Sequence, residues 1–364
     1  MEVAIMADRY LILEDGSVFK GKAFGSRATT FGEVVFTTVM TGYQQVITNQ
    51  IYHNQIIVFS EPTIGAVGID RASYESVDPT CKGVIVRDVA AVSINRRRRL
   101  SLDEYLKRQN IPGISGIDTR ALIKKLRSTG TIKGSIIDPV KDLEHAFDQL
   151  RAIVLTNQQV NQVSTPKAFP NPGNGKNVVV VDLGLKYGIL RQLSQRDCNV
   201  TVLGYSATAD SIFSLDPDGV IISTGPGNPR DLPPEVIEMI QIVERNIPLF
   251  AIGLGHEAFA IANGCEIMEL SSEHHGSNHP ILSVITDEIM YASHGQGFTV
   301  DPNSVDRNDL IVTHYDLIDH SVQGLRHRDF PAFSVQFFPD SSPGPTEATE
   351  LFDEFMEMMT RGGR

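Results

Sequence analysis

The sequence predicts two domains of different class, a β-rich amino-terminal domain carrying some helices and then a doubly wound α/β domain. Three observations carry this. Short apolar runs rich in β-branched residues crowd the first part of the chain. A polar stretch, 158–176, then interrupts them with Pro166, Pro170, Pro172, Gly173 and Gly175, the composition of a connection. Beyond it, continuous apolar runs alternate with helical stretches, the pattern of a parallel sheet covered on both faces. At 364 residues the chain can bury two cores. The expected boundaries are 1–157, a linker over 158–176, and 177–364.

The elements follow in order. Tyr10-Leu-Ile-Leu13 stops at Glu14-Asp-Gly-Ser17, and Val18 to Phe24 alternates, so the pair predicts a hairpin. Glu33–Phe36, Gln55–Phe59 and Gly83–Val86 are further strand candidates. Ser101-Leu-Asp-Glu104 is a capping box that opens a helix from Leu102 to Gln109. Asp118 caps a second helix to Arg127, with Leu122, Ile123 and Leu126 on one side and Gly130 beyond it. A third covers Asp142 to Leu155. In the second domain, strands are expected at Asn177–Asp182, Asn199–Leu203, Gly219–Ser223, Ile247–Ile252 and Ala332–Gln336, with helices at Tyr187–Gln195 and Ala258–Ala262.

Composition narrows the function. With 32 Lys and Arg against 44 Asp and Glu, the net charge of −12 excludes nucleic acid as a main partner, since such binding rests on neutralising phosphates. Three cysteines, Cys81, Cys198 and Cys265, form no paired motif and leave an odd count, so no disulfide framework is expected. Met1 to Arg9 lacks a basic stretch followed by an apolar run, so no secretory signal is expected. No run of about 18 apolar residues offers a membrane span. The expected location is the cytoplasm.

In an open α/β sheet, ligands sit at the carboxyl ends of the strands. Three loops there stand out: Thr224-Gly-Pro-Gly-Asn-Pro229, Ile252-Gly-Leu-Gly-His-Glu257 and Gln336-Phe-Phe-Pro-Asp340. The second has the strand–turn–helix shape of a nucleophile elbow, yet its apex is Gly253. His274, His275 and His279 raise the question of a metal. Their spacing does not match the paired histidines of a helical site and no cysteine lies near, so no metal and no cofactor are expected. His256 is expected to be a packed histidine, Arg96–Arg99 a solvated basic run, Asp118-Thr-Arg120 a helix start, and Met356–Thr360 the apolar side of a terminal helix.

The chain resembles the carbamoyl phosphate synthetase small-subunit family. The matching stretches are Leu13-Glu-Asp-Gly16, Gly32-Glu-Val-Val-Phe36, Met40-Thr-Gly-Tyr-Gln44, Gly116-Ile-Asp-Thr-Arg120, Ser223-Thr-Gly-Pro-Gly227, Leu254-Gly-His256, Gly276-Ser-Asn-His-Pro280, Gly297-Phe298 and Ser342-Pro-Gly-Pro345. They run in order along nearly the whole chain. The resemblance implies a β-rich small-subunit domain followed by a class I glutamine amidotransferase domain, whose Cys, His and Glu hydrolyse glutamine and pass ammonia to a large, ATP-using subunit.

Carried over residue by residue, the resemblance puts Gly253 at the nucleophile position, Phe338 at the base and Asp340 at the residue that orients it. The separation of 253 and 338 is the family's, so these are substitutions in place. Around the glutamine pocket, Ile51 stands where the family has Ser, and Glu257 where it has Gln. The family's Asn-His-Gly-Phe corresponds to Gly295-Gln-Gly-Phe298, or to Ser293-His-Gly295 with an insertion; either way its Asn is absent. Gly225, Gly227, Leu254 and Gly297 persist. Cys265, twelve positions past Gly253, is no substitute nucleophile.

These departures imply a small-subunit homologue that has lost glutaminase activity and serves as structural or regulatory partner of a large subunit using free ammonia, in arginine or pyrimidine formation. The alternatives are a small-molecule sensor using the former pocket, and an enzyme working by unusual chemistry around His256, Glu257 and Asp340.

Overall fold

The computed structural model describes residues 7–139 and 142–361. The expectation of no secretory signal falls largely on residues 1–6, outside the described residues. Two units divide at Thr156/Asn157.

In the amino-terminal unit, strands β1 (Asp8–Leu13), β2 (Val18–Gly25), β3 (Thr30–Thr37), β4 (Gln55–Phe59), β5 (Thr63–Ile64), β6 (Gly83–Ile85), β7 (Asp88–Val89), β8 (Pro112–Ser115) and β9 (Ile132–Ile137) accompany helices α1 (Tyr43–Thr48), α2 (Leu102–Arg108), α3 (Thr119–Thr129) and α4 (Leu143–Ala152). Seven of these strands close a barrel in the order β1-β2-β8-β6-β4-β3-β9. Alternate residues explain its filling. Leu11 and Leu13, Val34 and Phe36, and Ile56 and Val58 share one core with Ile114 and Ile136, whereas Ile12 and Ile137 point the other way and pack on Ala146 and Leu150 of α4.

The predicted β1–β2 hairpin forms with Tyr10 opposite Lys20. Ser101 and Glu104 make both bonds of the capping box, and the Asp118 carboxylate accepts from Ala121 N–H at 3.0 Å, which gives that residue its helix-start role. Arg96 to Arg99 are exposed. Sequence reading did not identify β8 and β9, the strands that complete the barrel. Both carry glycines that look like turns. A Cβ on Gly113 would meet the Phe24 ring at 2.5 Å, and one on Gly134 would strike Val34, so these glycines let neighbouring strands and side chains approach.

The second unit holds β10 (Phe169–Asn171), β11 (Asn177–Asp182), β12 (Asn199–Gly204), β13 (Gly219–Ile222), β14 (Leu249–Ile252), β15 (Ile267–Ser283), β16 (Glu288–Val300), β17 (Leu310–Asp316), β18 (Val322–His327) and β19 (Ala332–Val335). Its helices are α5 (Gln159–Val163), α6 (Tyr187–Gln195), α7 (Ala209–Phe213), α8 (Pro234–Val243), α9 (Leu254–Ala262) and α10 (Glu350–Arg361). The strands form one sheet, β10-β12-β11-β13-β14-β19-β18-β17-β15-β16. From β12 to β19 it is parallel. Val179 and Val181 of β11 enter one core and Val178 and Val180 the other, as a strand covered on both faces requires. On the terminal helix, Phe352, Phe355 and Met359 are buried, with Met356 and Met358 packed beside them.

Residues 158–176, expected as a linker, contain α5 and β10, and β10 pairs antiparallel with β12. Pro170 is compatible with this because β10 lies at the sheet edge. Beyond β19 the sheet continues through the antiparallel strands β18, β17, β15 and β16, none of which sequence reading identified. Their polar residues obscure the period-two pattern.

Candidate active site

β14 ends at Ile252 and α9 starts at Leu254, four residues earlier than expected, so Gly253 alone turns the chain. Its φ of 60° and ψ of −118° suit glycine and strain any residue with a side chain. Its N–H donates to Val335 O on the neighbouring β19 at 2.9 Å, and its carbonyl accepts from Glu257 N–H at 3.2 Å. The elbow is thus fastened on both sides. A Cβ built on Gly253 would stand 3.2 Å from Thr224 Cγ2 and 3.6 Å from Phe338 Cε1. The apex looks onto an aromatic ring.

The strand-end segment 336–340 supplies that ring. Phe338 N–H donates to Ser293 O at 2.8 Å, and Phe337 and Phe338 are buried. Asp340 accepts from Lys186 Nζ at 2.8 Å, both side chains being essentially solvent-free. The same ammonium lies 4.3 Å from the centre of the Phe338 ring, a favourable position for a cation. Gly188 completes the cradle, because a Cβ there would overlap Asp340 Oδ2. Gly253, Phe338, Asp340 and Lys186 therefore form one packed cluster with no nucleophile and no imidazole at its centre.

The surrounding groups are committed elsewhere. His256 shares a 2.8 Å hydrogen bond with Ser334 Oγ, and burial pushes its pKa down to about 3. Burial pushes Glu257 up to about 8, against the pull of a hydrogen bond to Gln336, so this carboxyl is mainly protonated at neutral pH. The three thiols are buried. Burial raises Cys81 to about 12, and Cys198 and Cys265 to about 11. An attacking thiolate needs the opposite shift.

Gly225 fits against the Leu183 carbonyl and lies where a Cβ would be 2.7 Å from Leu254 Cδ2, while Gly227 takes a φ of 94°. Gly295 and Phe298 sit on β16 opposite His275 and Glu269, and Gly297 has room for a Cβ beside Glu273. Ile51 lies in a short 3₁₀ turn of the amino-terminal unit, buried. A cavity of about 260 Å³ opens beside Gly227, lined among others by Asn157, Gln158, Tyr205, Asn228 and Asp231. Gly253, Phe338 and Asp340 do not line it.

The histidines divide differently from their order in sequence. His275 turns to Glu273, Nε2 to Oε2 at 2.7 Å. His274 and His279 stack with ring centres 4.8 Å apart, and His294 joins them at 4.6 Å from His279. Asp316 on β17 lies beneath, its Oδ2 3.5 Å from His274 Nδ1 and 3.4 Å from His279 Nδ1. Burial alone would raise the Asp316 pKa, but the bonds from His279 and Ile318 N–H hold it below the usual carboxylate range.

A sharp elbow at the carboxyl edge of a parallel sheet, flanked by a Gly-Pro-Gly loop, defines a class I glutamine amidotransferase domain, and residues 179–358 match that family. Residues 11–136 match the carbamoyl-phosphate synthase small chain, CPSase domain. The whole chain belongs to the carbamoyl phosphate synthase small-chain family. It is 50% identical over 354 residues to the carbamoyl phosphate synthase small chain of Streptococcus pyogenes serotype M18, covering 97% of this chain and 98% of that one. Over 351 residues it is 49% identical to the pyrimidine-specific small chain of Lactiplantibacillus plantarum, covering 96% of each.

Proposed function

We propose that this chain is a carbamoyl phosphate synthase small chain without glutaminase activity, acting as a structural or regulatory partner of a large subunit that takes free ammonia. The observation that carries the proposal is the elbow: Gly253 supplies no nucleophile, Phe338 no proton acceptor, and Asp340 is bound to Lys186. Loss of triad groups costs on the order of 10⁴–10⁶ in rate. Nothing nearby compensates. On the elbow helix, His256 and Glu257 are buried and hydrogen-bonded to Ser334 and Gln336.

Membership of the small-chain family supports a large-chain partner. The chain would then serve carbamoyl phosphate formation for arginine or pyrimidine synthesis, with ammonia supplied from solution or by another glutaminase. The test is to co-express this chain with a synthase large chain, purify the complex, and follow both glutamate release and carbamoyl phosphate formation. The expected outcome is co-purification, synthesis with ammonium salts, and no glutamate above the blank. Glutamate release at the rate of an ordinary triad amidotransferase would overturn it.

A further inference from the structure

We propose that His274, His279, His294 and Asp316 bind one divalent transition metal ion of the zinc class, which ties β15, β16 and β17 together. Nothing in the amidotransferase reaction requires these four side chains to meet, yet each offers a ligand atom and the four atoms lie within 4.8 Å of one another.

The backbone explains how they assemble. His274 and His279 are five residues apart and would face opposite sides of a regular strand. Between Gly276 and His279, however, β15 advances three residues while β16 advances two, from His294 to Ala292. This bulge returns His279 to the side that bears His274. His294 joins that side through its pairing with Gly276, and Asp316 through its pairing with Ile281. The spacing of His274 and His279 is unsuited to a helical metal site. A bulged strand obeys a different rule, and two of the four groups come from other strands.

Hydrogen bonds orient the ligands as a metal needs. His274 Nε2 donates to Asp319 Oδ2 at 3.1 Å, leaving the lone pair on Nδ1. His294 Nδ1 donates to Gln296 Oε1 at 3.1 Å, leaving the lone pair on Nε2. Both remaining nitrogens, His274 Nδ1 and His294 Nε2, are buried without a hydrogen-bond partner, an arrangement that costs stability unless an electrophile answers it. Asp316 Oδ1 accepts from Ile318 N–H at 2.6 Å, which turns Oδ2 toward the imidazoles. A carboxylate behind a ligating histidine is the usual outer-shell support.

Geometry and charge select the metal. Three imidazoles and one carboxylate suit tetrahedral zinc. Bonds of about 2.0–2.1 Å require ligand atoms about 3.3 Å apart, close to the 3.4 and 3.5 Å from Asp316 Oδ2 to the two Nδ1 atoms; the proton that His279 Nδ1 shares with Asp316 moves to Nε2 when the metal takes its place. With Asp316 and Asp319 ionised, a divalent ion leaves the cluster neutral. The site is closed, with the His279 side chain 14% exposed as its outer face, so its role is structural.

Isothermal titration of chelator-stripped full-length chain with Zn²⁺ tests this. The expected result is one equivalent bound with micromolar or tighter affinity, a melting temperature that rises and saturates at one equivalent, and intense tetrahedral absorption when Co²⁺ replaces Zn²⁺. His294→Ala and Asp316→Asn should each weaken binding at least tenfold, whereas His320→Ala, on an exposed residue, should not. Circular dichroism of the metal-free variants checks that they fold. Lack of uptake by the folded chain, or unchanged affinity in both folded variants, would show a purely hydrogen-bonded histidine cluster and overturn the proposal.

Discussion

The elbow around Gly253 and the histidine cluster on β15–β17 lie on one sheet and divide the labour of backbone and side chain in opposite ways. At the elbow the backbone has the shape of a catalytic turn, with φ 60° and ψ −118° at the apex, while the side chains close it with an aromatic ring and an ion pair. In the cluster the backbone is irregular, bulged between Gly276 and His279, and that irregularity gathers four side chains able to do chemistry. The form of the turn does not depend on a reactive side chain at its apex, because hydrogen bonds such as Gly253 N–H to Val335 O are made by the backbone alone. Chemistry-bearing residues, conversely, can be collected by a departure from regular structure.

The largest expected effect breaks the elbow's closure. Asp340→Ala leaves Lys186 buried and unpaired and should cost about 3–5 kcal/mol, read from denaturant unfolding of the full chain. Lys186→Met leaves the carboxylate stranded and should cost a similar amount. The double variant should recover much of the loss, since two apolar side chains replace a pair whose desolvation is expensive. If the single variants unfold like the parent, the pair does not hold the elbow closed.

A smaller effect probes the turn itself. Gly253→Ala would set its Cβ 3.2 Å from Thr224 Cγ2, a tight contact that adds to backbone strain of about 1–3 kcal/mol. Gly253→Cys should meet the same strain and still release no glutamate, because the group facing the new thiol is the Phe338 ring, 3.6 Å from a Cβ at 253, which accepts no proton. Glutamate production by this single variant would mean that the elbow kept more than its shape.

Much of this fold was legible in the sequence, and the reasons are local. The run Asn177–Asp182 declares a two-face-buried strand by composition, and Ser101 with Glu104 declares a helix start by two reciprocal bonds. β8 and β9 were hidden because Gly113 and Gly134, which resemble turn residues, are there for close packing. β15 was hidden because His274, Asn278 and His279 break the alternation through a bulge. Gly253, Phe338 and Asp340 could be placed by resemblance. Their partner Lys186 could not, since nothing local distinguishes a lysine that will be buried against a carboxylate 154 positions away. His294 and Asp316 were missed for the same reason: sheet pairing makes them neighbours.

The gentlest way to sharpen the comparison is pH, because the elbow helix carries two adjacent titrating groups with opposite shifts. Glu257 has its pKa raised by burial from 4.5 to about 8, so folding favours its protonated form. That stability is fully present below about 4.5 and is lost as pH rises through about 8, with a slope of at most about 1.4 kcal/mol per pH unit. His256 is shifted from 6.5 down to about 3 by burial, so folding favours its neutral form. Its contribution is present above 6.5 and lost as pH falls toward 3. Glu257→Gln should therefore flatten the alkaline side of the stability profile between pH 5 and 8 and leave the acid side sloping. Urea midpoints across that range measure it. An unchanged alkaline slope would mean that Glu257 is hydrated in the folded protein, and that the elbow is more open than its buried ion pair requires.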